Sequence, residues 1–392
     1  MRNGWEYKKL GEVTSFFRGL TYSGKDEVDY SNNIVLRSNN IDLSTNSLNF
    51  DELKFISNSI TIPQDKKLKK NSIFMCMSNG SKQHLGKVAF IEKDYPYAFG
   101  GFMGLIVPNE DKLVPKFTYY YFCSQKFKTY LSTIGNGANI NNIKYIDIAK
   151  DSIPLPPLST QLSIVSELDR INELIRLKKE QLKDFDNLAQ SIFYEMFGDP
   201  VKNERGWEVK KLGEVGKLAR GVSKHRPRNA PELLGGSMPL IQTGDVANSN
   251  FYITTYSSTY SKLGVKQSRV WEAGTLCITI AATIGKCAIL GFTACFPDSV
   301  VGYKPNNEAN TIYMYFIFKN MQKMLEEFAP GVAQKNINLK ILSNLAIPLP
   351  PLPLQQLFAQ RIEQIEHQKA EVQKSIMDLE TLLASRMQYW FE

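Results

Sequence analysis

The chain has 392 residues, of which 43% are hydrophobic and 22% are charged, so its length predicts two or three domains with ordinary buried cores. The formal net charge of +8 favours a polyanionic partner, although this signal is weak by itself. No run approaches the roughly 20 apolar residues of a membrane helix. The start of the chain, Met1–Trp5, has no secretory leader, which predicts a cytoplasmic protein.

The start of the chain is repeated in its second half. Residues Gly4–Val13 read GWEYKKLGEV, and residues Gly206–Val215 read GWEVKKLGEV. The segment Ile153–Leu158, IPLPPL, returns in the same way as Ile347–Leu352. Two copies of nearly half the chain each indicate a tandem duplication with a pseudo-two-fold relation, in which the lengths of the loops differ.

Between these repeated segments each copy contains short apolar runs of mixed secondary structure. In the first copy, residues 71–77 and 88–91 are predicted strands on either side of a polar loop, and residues 119–131 are a predicted helix. The second copy has the same pattern, and its matching segments are 275–281, 287–290 and 313–325. Each copy is therefore predicted to be a mixed α/β unit, and the whole chain to be of the α+β class.

A long helix is predicted after each proline-rich segment, because proline cannot continue a strand ladder. Apolar residues then recur in alternating steps of four and three, which is a heptad seam. The seam positions are Ile164, Leu168, Ile171, Ile175, Lys178, Leu182, Phe185, Ala189, Ile192 and Met196, and then Phe358, Ile362, Ile365, Lys369, Val372, Ile376, Leu379, Leu383, Arg386 and Trp390. A helix with one apolar seam is unstable alone in water. The two helices are therefore predicted to form an antiparallel coiled coil with one globular unit at each end.

Three cations interrupt the seam, namely Lys178, Lys369 and Arg386. We expect each to lay its aliphatic stem along the seam and to turn its charged head to water. A role in fixing the register of the two helices is the alternative. The predicted boundaries are 1–152 for the first globular domain, 153–198 for the central helix, 199–346 for the second globular domain and 347–392 for the C-terminal helix.

The sequence lacks the residue patterns of catalysis. Residues Gly19–Asp26 resemble a phosphate-binding P-loop, but Asp26 replaces the Ser or Thr that holds magnesium, and no helical run follows. The histidines, His84, His225 and His367, are too scattered for a zinc cluster or a triad. Free and mostly buried thiols are expected for the cysteines, which are Cys76, Cys123, Cys277, Cys287 and Cys295. The chain is predicted to be non-catalytic and to hold no metal.

Loops that differ between the copies contain the side chains that read base edges, which are Arg, Lys, Asn, Gln and Ser. Each such loop taken alone is more simply a solvated turn, but their recurrence at equivalent places in both copies favours recognition. The candidate DNA-binding residues are Arg37, Asn39, Asn79, Lys82, His84, Asn139 and Asn141 in the first copy, and Lys224, Arg226, Gln242, Lys286, Gln334 and Lys335 in the second.

The chain resembles the specificity subunit of type I restriction–modification systems. The resemblance rests on the repeated GWExKKLGEV starts, the repeated IPLPPL segments followed by Gln161 and by Gln355 or Gln356, the two long helices, and the segment Phe197–Pro200. It covers essentially the whole chain.

This resemblance implies that each globular unit is a target recognition domain for one half of a split, asymmetric DNA site. It also implies that the helices act as a ruler between the half-sites and dock two modification subunits. Those subunits are expected to carry the adenine methyltransferase and S-adenosylmethionine. Restriction subunits, with an ATP-driven translocase and a magnesium-dependent nuclease, are expected to join them, while this chain itself holds no cofactor.

Two other functions are compatible with the residue patterns. One is a coiled-coil adaptor with two protein-binding heads and no DNA role, which would lack salt-sensitive, sequence-selective binding to duplex DNA. The other is an enzyme with an unrecognised active site, which an activity assay on the isolated chain would reveal.

Overall fold

The chain divides into two units, each of which contains parts of both long helices. The first consists of Met1–Lys179 with Lys374–Glu392, and the second of Glu180–Gln373. Within the described residues, no helix is both long and apolar enough to cross a membrane. A computed structural model describes residues 4–134, 142–281, 283–327 and 337–392, with only the backbone of Lys82.

The first unit is built from short strands and a few helices. Its strands are β1 Glu6–Lys9, β2 Thr14–Arg18, β3 Glu27–Val28, β4 Asn33–Leu36, β5 Ile41–Asp42, β6 Ser47–Leu48, β7 Lys54–Ile56, β8 Ser72–Cys76, β9 Val88–Ile91, β10 Ala98–Phe99, β11 Met103–Pro108 and β12 Ser152–Leu155. The helices that begin in it are α1 Leu10–Val13, α2 Pro115–Cys123, α3 Gln125–Ile134, α4 Tyr145–Lys150 and α5 Leu158–Phe197.

Two four-stranded sheets form the body of the first unit, in the orders β2-β11-β8-β9 and β10-β4-β7-β3. Strand β8 pairs antiparallel with both β11 and β9, which confirms the predicted strands at 71–77 and 88–91. Successive side chains of a strand point to opposite faces. Accordingly, Ile73 and Met75 pack in the core that contains the helices, whereas Phe74 and Cys76 pack in a second core. Burial on both faces explains why the run is continuously apolar rather than alternating.

The predicted helix at 119–131 is present as two helices, α2 and α3. They are separated at Ser124, whose hydroxyl donates to the Tyr121 carbonyl oxygen at 2.6 Å and accepts from the Phe127 N–H at 3.3 Å. A serine side chain that bonds to nearby backbone groups competes with the helical pattern. The helical prediction is therefore confirmed, with one break.

The second unit repeats this plan with different loop lengths. Its strands are β13 Val209–Lys211, β14 Gly216–Arg220, β15 Leu234–Leu240, β16 Tyr252–Ile253, β17 Ser258–Tyr260, β18 Val270–Trp271, β19 Leu276–Thr279, β20 Cys287–Leu290, β21 Ala294–Cys295, β22 Val300–Pro305 and β23 Ala346–Pro348. The helices that begin in it are α6 Thr243–Ala247, α7 Lys262–Lys266, α8 Thr311–Glu327, α9 Leu339–Ser343 and α10 Leu352–Phe391.

The central sheet of the second unit has the order β14-β22-β19-β20-β16. Strand β19 pairs antiparallel with β22 and β20, as β8 pairs with β11 and β9 in the first unit. Leu276 and Ile278 lie in the core that contains α8, whereas Cys277 faces a second core. The predicted strands at 275–281 and 287–290 and the predicted helix at 313–325 are confirmed as β19, β20 and α8.

The long helices α5 and α10 contribute to both units and run antiparallel in each. In the first unit, Lys179 near the middle of α5 pairs with Glu380 of α10 at 2.9 Å. In the second unit, Phe193 and Phe197 near the end of α5 pack on Phe358 near the start of α10, at ring-centroid distances of 5.7 and 5.2 Å. The antiparallel pairing of the two seams is confirmed.

Two of the three cations in the seam do not turn their heads to water, so that expectation was wrong. Lys369 is buried, and its ammonium lies 2.8 Å from both Asp186 on α5 and Glu366 on its own helix. Arg386 forms an ion pair with Glu167 on the opposite helix. Carboxylates on the opposite helix bind both heads, and without them a partly buried charge would be left unpaired, which is costly.

The proline-rich segments lie outside the long helices. Ser152–Leu155 and Ala346–Pro348 are strands that pair antiparallel with β1 and β13, at the repeated starts of the two copies. The predicted helical spacers 153–198 and 347–392 thus begin inside these strands, and the helices themselves start a few residues later. The division into four segments otherwise stays a prediction.

Candidate nucleic-acid interface

Four loops of the first unit follow the ends of strands β2, β4, β8 and β10, and they are called the first-unit interface loops: 19–22, 37–40, 78–84 and 100–102. Backbone hydrogen bonds join them. The N–H of Leu20 donates to the Phe99 carbonyl oxygen at 2.7 Å, and the N–H of Gly100 donates to the Leu36 carbonyl oxygen at 2.9 Å. The Asn79 side-chain amide donates to the Ser38 hydroxyl at 2.9 Å. Separate parts of the sequence therefore form one continuous surface.

Three of the candidate residues of the first copy lie on these loops and form defined hydrogen bonds. Arg37 is half-buried, and its backbone N–H donates to the Asn40 side chain at 2.8 Å, which shapes the loop 37–40. The amide of Asn39 donates to the Glu52 carboxylate at 3.2 Å. The carbonyl oxygen of the Asn79 side chain accepts the N–H of Ser81 at 2.9 Å. The structure therefore places Arg37, Asn39 and Asn79 on neighbouring loops of one surface.

The remaining candidates of the first copy are less well defined. His84 ends the turn Lys82–His84, and its Nδ1 is buried without a hydrogen-bond partner among the described residues. The side chain of Lys82 is outside the description, as are Asn139 and Asn141. Of these four candidates, the structure therefore places only the His84 side chain.

Sequence reasoning missed two residues near these loops. Lys87 is buried, its ammonium donates to the Ile41 carbonyl oxygen at 2.9 Å, and burial lowers the pKa of the Lys87 amine. The repeated Gly-Lys pair marked its twin Lys286 as a candidate, but gave no sign that Lys87 points inward. Phe102 lies in the loop 100–102 and is 73% exposed. An isolated phenylalanine in a sequence gives no signal of exposure.

The second unit has corresponding loops, called the second-unit interface loops: 221–228, 242–245, 283–286 and 297–299. The N–H of Val222 donates to the Phe296 carbonyl oxygen at 3.2 Å, and the N–H of Ile280 donates to the Ser299 carbonyl oxygen at 3.1 Å. The N–H of Ile241 donates to the Cys295 carbonyl oxygen at 2.8 Å. Loops at corresponding places in the fold are therefore joined in both units.

A cationic loop distinguishes the second interface. The Arg226 guanidinium donates to the carbonyl oxygens of Ser223 and His225 at 2.5 and 2.8 Å and lies 4.0 Å from Asp298. Arg228 forms a closer ion pair with Asp298, at 2.8 Å. One carboxylate thus serves two guanidinium groups and leaves an excess of positive charge on this exposed loop.

The side chain of Gln267 holds this loop from a neighbouring segment. Its oxygen accepts the N–H groups of Lys224 and His225 at 2.6 and 3.0 Å. Sequence reasoning placed Lys224 and Arg226 on this loop but could not identify Gln267, which is about 40 residues away and belongs to no matched segment. The loop is therefore ordered by a contact that only the fold creates.

The other candidates of the second copy are exposed or outside the description. Gln242 is exposed, and its backbone N–H donates to a carboxylate oxygen of Asp245 at 2.7 Å. Lys286 is exposed on the loop 283–286. Gln334 and Lys335 lie outside the described residues. Among the residues that the structure describes, no group of three or more His, Cys, Asp or Glu side chains could hold a metal ion.

Curated proteins with related sequences are specificity subunits. The putative type I restriction enzyme MjaX specificity subunit of Methanocaldococcus jannaschii is 25% identical, over 92% of this chain and 87% of that protein. The type I restriction enzyme EcoKI specificity subunit of Escherichia coli is 23% identical, over 95% of this chain and 84% of that protein.

Two solved structures have a similar fold. One is a chain from a study of complex assembly and conformational transition of the type I R-M system, with a TM-score of 0.62 and 19% identity over 99% of this chain and 97% of that chain. The other is the S subunit of a type I restriction–modification system from M. genitalium, with a TM-score of 0.57 and 16% identity over 100% and 98%.

A family model covers nearly the whole chain in two matches. It is described as the type I restriction modification DNA specificity domain, and it matches residues 2–184 and 204–380. The two matches correspond to the two copies of the repeat. The chain therefore belongs to the family of type I restriction–modification DNA specificity proteins.

Proposed function

We infer that this chain is the sequence-specific DNA-recognition subunit of a type I restriction–modification complex, with one half of a bipartite, asymmetric site read by each unit. The observation that carries this inference is the repeated framework with different interface loops. In both units these loops follow the ends of corresponding strands, but the side chains differ. Such a protein offers two different readers on one scaffold, as a site with two unlike halves requires.

The chemistry of the interface loops supports DNA as the ligand. Guanidinium groups such as those of Arg226 and Arg228 suit phosphate oxygens and the bidentate edge of guanine, and amides such as those of Asn39 and Asn79 suit adenine. Cations supply affinity that does not depend on sequence, while base contacts supply discrimination. The first interface has more amides and the second has more cations, which agrees with different half-sites.

The proposal includes partners and a division of labour. Two modification subunits would carry the methyltransferase and S-adenosylmethionine, and restriction subunits would carry ATP and magnesium, while this chain would hold none of them and act in the cytoplasm. Exposed apolar residues on the long helices support docking of partners. In the first unit Leu162 and Leu382 border one open groove and are 56% and 45% exposed.

The test is to reconstitute the chain with its modification subunits and to map the methylated adenines. We expect one split motif in which the two halves are unlike. The isolated chain should neither methylate nor cleave DNA, and turnover that is lost when a residue of this chain is mutated would contradict the proposal. Binding without any sequence selectivity or salt dependence would instead favour the adaptor.

A second experiment tests whether each unit reads its half independently. Residues of about 15–145 are exchanged for the corresponding interior of another family member. The expected result is a new sequence in one half of the methylated motif and an unchanged sequence in the other. A change in both halves, or in neither, would contradict the assignment of one half-site to each unit.

A further inference from the structure

Phe102 has a fixed backbone at the centre of the first-unit interface loops. Its carbonyl oxygen accepts the N–H groups of Met77 and Ser78 at 2.9 and 3.1 Å. The turn that contains it is closed by the N–H of Met103, which donates to the Gly100 carbonyl oxygen at 2.8 Å. Hydrogen bonds to the loop 78–84 and within its own turn therefore hold the residue in place.

The ring of Phe102 is exposed although its backbone is fixed. The side chain is 73% exposed, and within the described part of the chain it makes none of the aromatic contacts that involve the other rings of this unit. The two preceding residues, Gly100 and Gly101, have no side chains, so Phe102 provides the only side chain between Phe99 and Met103. Single exposed apolar residues are common on proteins, so exposure alone decides nothing.

Polar residues lie close to the turn that carries this exposed ring. The same turn lies close to Arg37 and Thr21. A Cβ atom placed on Gly100 would be 3.7 Å from Cγ of Arg37, and a Cβ atom placed on Gly101 would be 3.3 Å from the Thr21 hydroxyl oxygen. The neighbouring loop 78–84 carries Asn79, which is bonded to Ser38. Polar groups that suit phosphates and base edges thus lie next to the turn that carries Phe102.

The second unit differs at this place in the fold. Ser299 corresponds to Phe102, because its carbonyl oxygen accepts the N–H of Ile280 at 3.1 Å as that of Phe102 accepts the N–H of Met77. The preceding Asp298 binds Arg228, where the first unit has Gly101. An aromatic ring at this position is therefore specific to the first interface.

We propose that Phe102 inserts its ring between adjacent base pairs of the half-site that the first unit reads. This proposal rests on the function inferred above. Apolar side chains that enter a base step unstack it and kink the duplex, and the energy required depends on the sequence of that step. Pyrimidine–purine steps open most easily. Phe102 thus selects a deformable step in the first half-site, in addition to the base-edge contacts of its neighbours.

The experiment uses the reconstituted complex with its mapped target duplex. 2-Aminopurine replaces single bases of the first half-site in turn, and the methylated adenine is left unsubstituted because methyltransferases extrude their target base. The wild-type complex should raise the fluorescence at one step several-fold, because 2-aminopurine brightens when it is unstacked. Phe102→Ser, which introduces the residue of the second unit, should abolish that rise and weaken binding about tenfold.

Two further variants complete the test. Phe102→Leu keeps an apolar wedge and should retain part of the fluorescence rise. Tyr30→Ser removes an equally exposed aromatic ring of the same unit, 79% exposed and packed on Phe55, and should leave the signal unchanged.

Two results would overturn the wedge. The first is unchanged fluorescence and affinity in Phe102→Ser. The second combines two observations: wild type causes no fluorescence rise, and deoxyuridine in place of thymine weakens wild-type binding as much as Phe102→Ser does. The ring would then contact a thymine methyl group, which deoxyuridine lacks, instead of entering a base step. Wild-type complex that methylates no split motif would contradict the proposed function itself, independently of Phe102.

Discussion

The side chains of Gln161 and Gln355, which occupy equivalent positions in the two copies, form the same set of hydrogen bonds. The oxygen of Gln161 accepts the N–H of Val114 at 2.8 Å, and its amide donates to the carbonyl oxygens of Lys112 and Pro156, both at 2.9 Å. The side-chain oxygen of Gln355 accepts the N–H of Asn310 at 2.9 Å. Its amide donates to the carbonyl oxygens of Glu308 and Pro350 at 3.1 and 2.8 Å. Each glutamine therefore ties the first turn of a long helix to the loop that precedes α2 or α8.

Replacement of either glutamine by alanine should destabilise its unit. Both side chains are fully buried, so Gln161→Ala or Gln355→Ala leaves an N–H and two carbonyl oxygens without partners. The expected loss is about 1–3 kcal/mol of the free energy of unfolding for each variant, measured by chemical denaturation. Gln356→Ala is the matched control, because Gln356 is adjacent and exposed. Equal destabilisation by Gln355→Ala and Gln356→Ala would contradict this account.

The sequence predicted the framework of these units better than its contacts. Heptad spacing and apolar runs identified α5, α10 and the paired strands, because burial of one face imposes a period on the sequence. The choice between Gln355 and Gln356 stayed open, because a one-residue shift on a helix changes which side chain faces the core. The partners of Lys369 and Arg386 were also missed, since Asp186 and Glu167 are distant in sequence and meet them only through antiparallel pairing.

For the candidate interface, the sequence predicted loops rather than contacts. The loops that carry Arg37, Asn79 and Arg226 were expected from their composition, and the fold brings the loops of each unit next to one another. The contact of Gln267 and the exposure of Phe102 were not predicted. The first spans about 40 residues of the sequence, and the second concerns one ring. Neither property leaves a periodic trace in the sequence.

The ion pair between Glu167 and Arg386 should make a pH-dependent contribution to stability. The hydrogen bond from Arg386 holds the pKa of the Glu167 carboxyl below its usual value, and the Trp390 indole N–H also donates to that carboxylate at 3.0 Å. A lowered carboxyl pKa stabilises the folded state above the ordinary pKa of glutamate, and this contribution is lost as the pH falls through the lowered pKa. Because the pair is partly exposed, Glu167→Gln should cost no more than about 1 kcal/mol at neutral pH.

The measurement is the free energy of unfolding of wild type and Glu167→Gln as a function of pH. The difference between them should be present at neutral pH and should vanish in acid. Glu173→Gln is the control, because Glu173 lies on the same helix but pairs with Arg176 on the exposed surface. A difference that persists unchanged in acid would mean that the charge of Glu167 is not the cause.

Arg226→Ala should weaken DNA binding through the second unit. If Arg226 contacts a phosphate, affinity should fall alike for all sequences and the salt dependence should decrease by about one unit of slope. If it contacts a base, one position of the second half-site should relax at a cost of about 1–3 kcal/mol. Either result is read from binding of the reconstituted complex at several salt concentrations together with the methylated motif. Lys202→Ala, a solvent-exposed cation of the same unit, is the control. An unchanged affinity, motif and salt dependence would remove Arg226 from the interface.

Helices α5 and α10 are expected to set the distance between the two half-sites. Helix α5 passes from the first unit to the second after Lys179, and α10 passes back after Gln373. Four residues added at both places would lengthen each helix by about 6 Å, which coiled coils accommodate by local unwinding. At about 3.4 Å per base pair, the spacer of the methylated motif should grow by one or two base pairs.

The two half-sites themselves should stay unchanged, because the insertions leave both sets of interface loops and the contacts inside each unit intact. An insertion in α5 alone is the control. With α10 unchanged, the Glu167–Arg386 and Lys369–Asp186 ion pairs cannot both form, so activity should be lost. A position after Met196 is unsuitable for lengthening, because the next residue, Phe197, packs on Phe358 in the core of the second unit. Full activity with the original spacer in the doubly lengthened protein would show that α5 and α10 do not set the separation of the half-sites.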